Sequence, residues 1–168
     1  MSIRSARPAD ASTLVALIRE LAEFEQLTHL VQVTPEQLAR HLFGPRPAAE
    51  CVVVEQGDEV VAFALFFHNF STFLGQMGLY LEDLYVRPAH RGRGIGRSLL
   101  AHLAGLACER GCGRFEWSVL DWNANAIAFY EKIGATVMPD WRICRVTGPG
   151  LHALAGPANQ RAAPPALR

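Results

Sequence analysis

Apolar residues return at three-and-four spacing near the start of the chain: Leu14, Leu17, Ile18, Leu21 and Phe24. Arg19, Glu20 and Glu23 occupy the opposite side. The spacing predicts an amphipathic helix opened by Asp10 and Ser12, after a short strand over Ile3–Ser5. Thr34-Pro35-Glu36-Gln37 predicts a second helix start. Thr34 caps, Pro35 takes the first helical position and Gln37 reaches back. Leu38 and Leu42 give that helix its apolar edge, and Gly44-Pro45 ends it. Two β-rich runs, Glu50–Gln56 and Glu59–Asn69, flank Gly57-Asp58, a hairpin signal. Leu79–Val86 reads as another strand, closed by Pro88. Ser98–Arg110 reads as a helix with Leu99, Leu100, Leu103 and Leu106 on one side and Gly111 at its stop. A strand over Arg114–Leu120, a helix over Asn125–Ile133 and a last strand over Arg142–Thr147 complete the series. Hairpin strands come first and strand–helix–strand units second. That order predicts an α/β (α+β) fold, a mixed sheet with helices on both faces.

The 168 residues suit one domain, placed at 1–147, with 148–168 as a short turn or helix (Leu151–Ala155) and a flexible tail. Half the residues are hydrophobic and 19% are charged, which excludes a largely disordered chain. Sixteen basic residues balance sixteen acidic ones, so neither nucleic acid nor an anionic membrane surface is expected as a partner. No apolar run reaches membrane-span length, and the polar start MSIRSARPAD lacks a secretory signal's apolar segment. Cys51, Cys108, Cys112 and Cys144 match no zinc spacing and read as buried or idle thiols, which fits a reducing cytoplasm. His68, His90 and His102 have no partner pattern suggesting a triad or a metal.

The charge that matters is local. Arg91-Gly92-Arg93-Gly94-Ile95-Gly96 lies between a predicted strand and a predicted helix, with Arg97 and Ser98 following. Glycines there let the backbone approach a ligand. Free N–H groups at the helix start carry the positive end of the dipole, and Arg91, Arg93 and Arg97 add charge. The segment is suited to a phosphate or diphosphate. It is not a P-loop, because the turn is shorter and Arg97 replaces the lysine. It is not a dinucleotide fingerprint either. The glycines run G-x-G-x-G, late in the chain, and no acidic residue follows at the ribose distance.

"LYLEDLYVRPAHRGRGIGRSLL", followed by "DWNANAIAFYEKIGA", resembles the acetyl-CoA-binding half of the GNAT family of N-acetyltransferases. Arg91, Gly94 and Gly96 fill that family's R/Q-x-x-G-x-G/A turn, and the second stretch resembles its Asn…Tyr-Glu-Lys-x-Gly segment. The match runs from Ile3 to about Thr147. "IRELAEFE", "TPEQL" and "YLEDLYV" resemble the spermidine/spermine and thialysine acetyltransferases and their bacterial relatives. "WRICRV" resembles theirs in its Trp-Arg start.

The resemblance implies a GNAT fold: a twisted, mostly antiparallel sheet of six to seven strands whose central parallel pair splays. It implies acetyl-CoA as co-substrate, no metal, a small-molecule amine acceptor (polyamine, diamine or lysine-like amino acid) and a homodimer. It puts the diphosphate on Arg91–Ser98 (Arg91, Gly92, Arg93, Gly94, Ile95, Gly96, Arg97, Ser98). The pantetheine would lie along Leu84, Tyr85 and Val86, with Asn123 and Tyr130 also at the coenzyme. Tyr130 becomes the acid for the leaving thiolate. A phenol near pKa ~10 is still protonated at neutral pH. Glu82 becomes the base acting through water, with Asp83 the second candidate, and Glu25 faces the cationic acceptor. On a regular strand Glu82 and Asp83 point to opposite faces. Asn123 also reads as a helix N-cap, with Asn125 competing. Phe70 and Phe73 read as buried strand-end aromatics, or as walls of the acceptor channel. Against the polyamine pattern, the chain is neutral and carries Leu27, Thr28 and His29 where the animal enzymes have further acids. The alternative functions are a protein N-terminal or lysine acetyltransferase and a non-catalytic acetyl-CoA-binding module.

Overall fold

A computed structural model describes residues 1–159. They form two compact units, divided after Val119. The first carries, in order, β1 (Ser2–Ser5), α1 (Ala11–Phe24), α2 (Pro35–Phe43), β2 (Glu50–Gln56), β3 (Glu59–Ser71), β4 (Gln76–Val86), α3 (Ile95–Glu109) and β5 (Arg114–Trp117). The second carries α4 (Ala124–Lys132) and α5 (Gly148–Asn159), the latter broken at Gly156, where φ is 70°.

The sheet has five strands in the order β1-β2-β3-β4-β5. The first four pair antiparallel and β5 joins β4 in parallel. The class agrees with the expected fold, but the strand count is five rather than six or seven. The difference lies at Arg142–Thr147, which forms no strand. Trp141, Ile143 and Val146 are exposed there, so its apolar residues cover no surface that would hold a strand in place. Leu151–Ala155 lies inside α5. Residues 160–168 of the expected tail lie outside the described residues.

Local chemistry sets the boundaries. The Thr34 hydroxyl accepts from Gln37 N at 3.3 Å, while Gln37 Oε1 accepts from Thr34 N at 3.0 Å, a reciprocal cap. Gly57 takes φ 64° at the first position of the two-residue turn that pairs Gln56 with Glu59. α1 and α2 cover one face of the sheet. There Leu14, Val15, Leu17 and Leu21 meet Leu38, Leu42, Cys51, Val53, Phe63 and Tyr85. α3 packs against β3, β4 and β5 through buried Ile95, Leu99, Leu100 and Leu103. Phe70 and Phe73, expected as buried strand-end aromatics, are 61% and 96% exposed. They sit at the β3–β4 hairpin tip, out of reach of either helical layer.

One irregularity positions the site. Leu65 pairs with Asp83 and Phe66 with Leu81, so Glu82 has no partner on β3 and forms a bulge in β4. Leu65 packs against the α1–α2 core and pairs with Asp83; Phe63, in that core, pairs with Tyr85. Asp83 and Tyr85 therefore face α1, while Leu81 faces the other side.

The first strand is fastened by charge. Arg4 donates to both Asp10 carboxylate oxygens, at 2.7 and 3.0 Å, and also bonds Glu55. Arg7 N donates to Asp10 at 2.6 Å. These bonds hold the buried Asp10 carboxyl below the usual aspartate range. Asp10→Ala strips Arg4 of its principal partner and is expected to cost about 3 kcal/mol, measured by denaturant unfolding at pH 7. The depressed pKa makes this contribution full above pH 4. It is expected to fade as pH falls further, shrinking the gap between variant and wild type.

Candidate active site

β4 has two different edges. Toward β3 it is paired as far as Val86, but β5 accompanies it only over Gly78–Leu81. From Glu82 onward no strand among the described residues pairs with the outer edge, because β5 ends at Trp117. Leu84, Tyr85 and Val86 lie along this free stretch. An extended chain bearing amides can bond to such an edge as a strand does.

The turn after β4 is built to offer donors. Gly92 and Gly94 take φ of 73° and 78°, values that side chains disfavour. Gly94 sets the start of α3 at Ile95, three residues earlier than the sequence pattern suggests. Arg91 N bonds to Pro88 O and Ser98 N to Gly94 O. The N–H groups of Gly92, Arg93, Gly94, Ile95, Gly96 and Arg97 between them bond to no acceptor among the described residues. A Cβ at Gly92 or Gly94 would meet nothing within 4 Å, so the turn stands open. One at Gly96 would come 3.9 Å from Leu84, which puts the donor cradle beside the free edge of β4. The residues fit a diphosphate followed by an amide-rich arm.

Arg91 differs from its expected place. Its Nε donates to Val86 O at 2.8 Å, and its guanidinium lies 5.1 Å from the Phe24 ring and 5.3 Å from the Tyr85 ring. The side chain clips the turn to the end of α1 rather than adding charge to the cradle. Arg87 makes a similar link by bonding Glu20 at 3.0 Å and also Glu59. Neither clip was legible as such, since each joins elements far apart in sequence.

Asp83 faces α1, with Glu25 and Glu82 near enough for their charges to act on it. Asp83 is half-buried, and burial pushes its carboxyl up to about 6, with further contributions from the charges of Glu82 and Glu25. Glu25, at the end of α1, is also raised by burial. Glu82 is exposed at the bulge. The bulge breaks strict alternation along β4, because Leu81 and Asp83, two residues apart, pair with consecutive residues of β3 and take opposite faces. Cys51 lies near Asp83, and burial raises its thiol to about 12. Among the described residues no group of three or more His, Cys, Asp or Glu is arranged to hold a metal ion.

Asn123 and Tyr130 belong to the second unit. Asn123 is the cap of α4, its Oδ1 accepting from Ala126 N at 3.2 Å, and Asn125 takes no part. Tyr130 is half-buried, with its ring 5.5 Å from that of Phe129.

A turn of free N–H groups thus stands beside a parallel pair that parts after four residues. The family model "Acetyltransferase (GNAT) family" matches residues 14–135. The chain belongs to the GNAT family of acetyltransferases. It is an acetyl-CoA-dependent N-acetyltransferase. It is 39% identical over 165 residues to the thialysine N-epsilon-acetyltransferase of Mus musculus, covering 92% of this chain and 96% of that protein. It is 36% identical to an L-ornithine N5-acetyltransferase of Arabidopsis thaliana, covering 90% and 86%. Among solved structures, an integron cassette protein from the mobile metagenome of V. cholerae superposes with a TM-score of 0.77 at 28% identity, covering 92% and 96%.

The raised carboxyl of Asp83 opposes folding once ionised. The penalty is absent below about pH 4, where the group is protonated whether folded or not. It grows as pH rises and is complete above the folded pKa of about 6. The difference from an ordinary aspartate corresponds to about 3 kcal/mol at most. Asp83→Asn is expected to be more stable than wild type at pH 8 by up to that amount, with the gap closing near pH 4. Unfolding midpoints at the two pH values check this.

Proposed function

We propose that this GNAT enzyme acetylates the terminal primary amine of a small cation, a lysine-like amino acid, diamine or polyamine, by direct attack on the acetyl-CoA thioester. The observation that carries the reading is the acidic group Glu25, Glu82 and Asp83 beside the free edge of β4. Carboxylates there attract a cationic acceptor to the place where the donor arm would run. The relatives named for thialysine and ornithine act on amino acids with a side-chain amine, which supports the same acceptor class.

In this reading the backbone N–H groups of Gly92–Arg97 hold the diphosphate, and Leu84–Val86 pair with the pantetheine amides. Arg91 and Ser98 bound the cradle, and Asn123 contributes from the α4 cap. Acetyl-CoA supplies the activated acyl group. Glu25 and Asp83 hold the ammonium. Glu82 takes its proton through water, since the amine must be neutral to attack and is protonated near pKa ~10 in solution. The new bond joins amine nitrogen to acetyl carbon, the carbon–sulfur bond breaks, the Tyr130 phenol delivers a proton to the departing sulfur, and the proton that the nitrogen sheds on becoming an amide restores the phenol. Cytoplasmic location and a homodimer are part of the proposal. The exposed Phe70, Phe73, Leu74 and Met77 at the β3–β4 tip support self-association.

The test is release of coenzyme A thiol over a panel of amines. Wild type is expected to turn over small diamines or diamino acids in preference to peptide amines. Tyr130→Phe is expected to lower kcat by about 100-fold or more without a matching rise in KM. Glu82→Gln is expected to move the acidic limb of the pH–rate profile upward. A Tyr130→Phe enzyme at wild-type rate removes the acid role, and an unmoved profile for Glu82→Gln removes the base role. Sedimentation at two concentrations is expected to give twice the chain mass, and a monomer at both would refute the dimer.

A further inference from the structure

A second polar group lies on the acid-bearing side of the sheet and takes no part in the proposed chemistry. Arg114 and Glu116 are two apart on β5, so they share a face; they pair with Gly78 and Tyr80 of β4. Tyr80 lies on the face of Asp83, because the bulge at Glu82 separates them and Phe67, its partner, is two residues from Leu65. The rings of Phe67 and Tyr80, 5.2 Å apart, make an apolar patch on that face.

The ion pair is held in place. Asn69 Nδ2 donates to Glu116 Oε2 at 3.2 Å, across the bare Cα of Gly78. Arg114 Nε approaches the same oxygen at 2.8 Å. A side chain at Gly78 would overlap Asn69 Oδ1 and press on the Arg114 stem, so glycine is what lets the three converge. The arrangement carries a cost, because Asn69 Oδ1 is buried without a hydrogen-bond partner. All the pinning falls on one side of the pair. Glu116 Oε1 and both terminal nitrogens of Arg114 have no partner among the described residues. About a third or more of each side chain is exposed, 35% for Arg114 and 42% for Glu116. A rigid pair thus offers one acceptor and a two-pronged donor, the complement of an ammonium and a carboxylate on one carbon.

The spacing matches a diamino acid. Tyr80, beside Glu116, is two residues from Glu82, about 7 Å at ~3.3 Å per residue. The five bonds from the terminal nitrogen of lysine to its Cα span about 6 Å when extended. We propose that Asn69, Arg114 and Glu116 form the headgroup subsite of the acceptor, with Glu116 Oε1 taking the α-ammonium and the Arg114 fork the α-carboxylate. This rests on the function proposed above and narrows its acceptor to an α-amino acid with a side-chain amine.

The experiment compares three acceptors on each enzyme. Lysine carries both headgroup charges, pentane-1,5-diamine lacks the carboxylate, and 6-aminohexanoate lacks the α-ammonium. Arg114→Ala is expected to raise KM for lysine by about 10- to 100-fold and to leave pentane-1,5-diamine within about twofold. Glu116→Gln is expected to raise KM for lysine and the diamine together while sparing 6-aminohexanoate. Arg114→Met, which keeps the stem over Gly78, is expected to repeat the Arg114→Ala pattern and separates charge from packing. The ratio between acceptors on one folded variant is insensitive to general loss of enzyme. Equal changes for all three acceptors, or no change, would overturn the subsite while leaving the amine acetyltransferase intact. A wild-type enzyme that preferred the diamine to both lysine and ornithine would overturn it as well. Failure to acetylate any small amine would refute the underlying function, and the subsite with it.

Discussion

Everything at the site depends on β5 leaving β4 after Leu81. Four residues of parallel pairing hold the two strands together, and then β4 continues alone on that side. A strand edge with unmet donors and acceptors is unstable in isolation. Here it leads directly into a turn that also withholds its N–H groups from the protein. The fold spends backbone hydrogen bonding at two adjoining places, and the coenzyme's amides and diphosphate are what would restore it. The buried residues of α1, α2 and α3 stabilise the sheet around this defect, so that the opening keeps its shape.

The same defect organises charge. Beyond Leu81 the face of β4 toward α1 carries Asp83, near enough to Glu25 and Glu82 for their charges to add to its own cost of ionisation. Before it, the same face carries Tyr80 beside the fixed Arg114–Glu116 pair. Acids stand at the bulge, and a neutral pair stands on the same sheet about 7 Å further back along the strand.

Much of the frame was legible because it rests on local rules. Thr34-Pro35-Glu36-Gln37 gives a cap whatever surrounds it, and Gly57 gives a hairpin. The glycines of the 91–96 segment announce a turn with free amides. Arg142–Thr147 misled because a β-rich run forms a strand only if a neighbour exists to pair with it. Arg91 misled in another way: its place in the motif is plain, but its guanidinium goes to Val86 and the rings of Phe24 and Tyr85. Asn69, Arg114 and Glu116 are 45 and 47 positions apart across two strands, and only the register over Gly78 brings them together. Sequence spacing carries no trace of that.

The bulge in β4 has a further consequence. Leu81 and Asp83 already sit opposite consecutive residues of β3, with Glu82 the surplus member between them. Excising that one residue would leave a regular ladder in which every other side chain keeps its present face. The sheet gains nothing from this glutamate and would be simpler without it. An extra residue that the ladder does not require, in the middle of a core strand, is the kind of irregularity found where a side chain is re-aimed for chemistry.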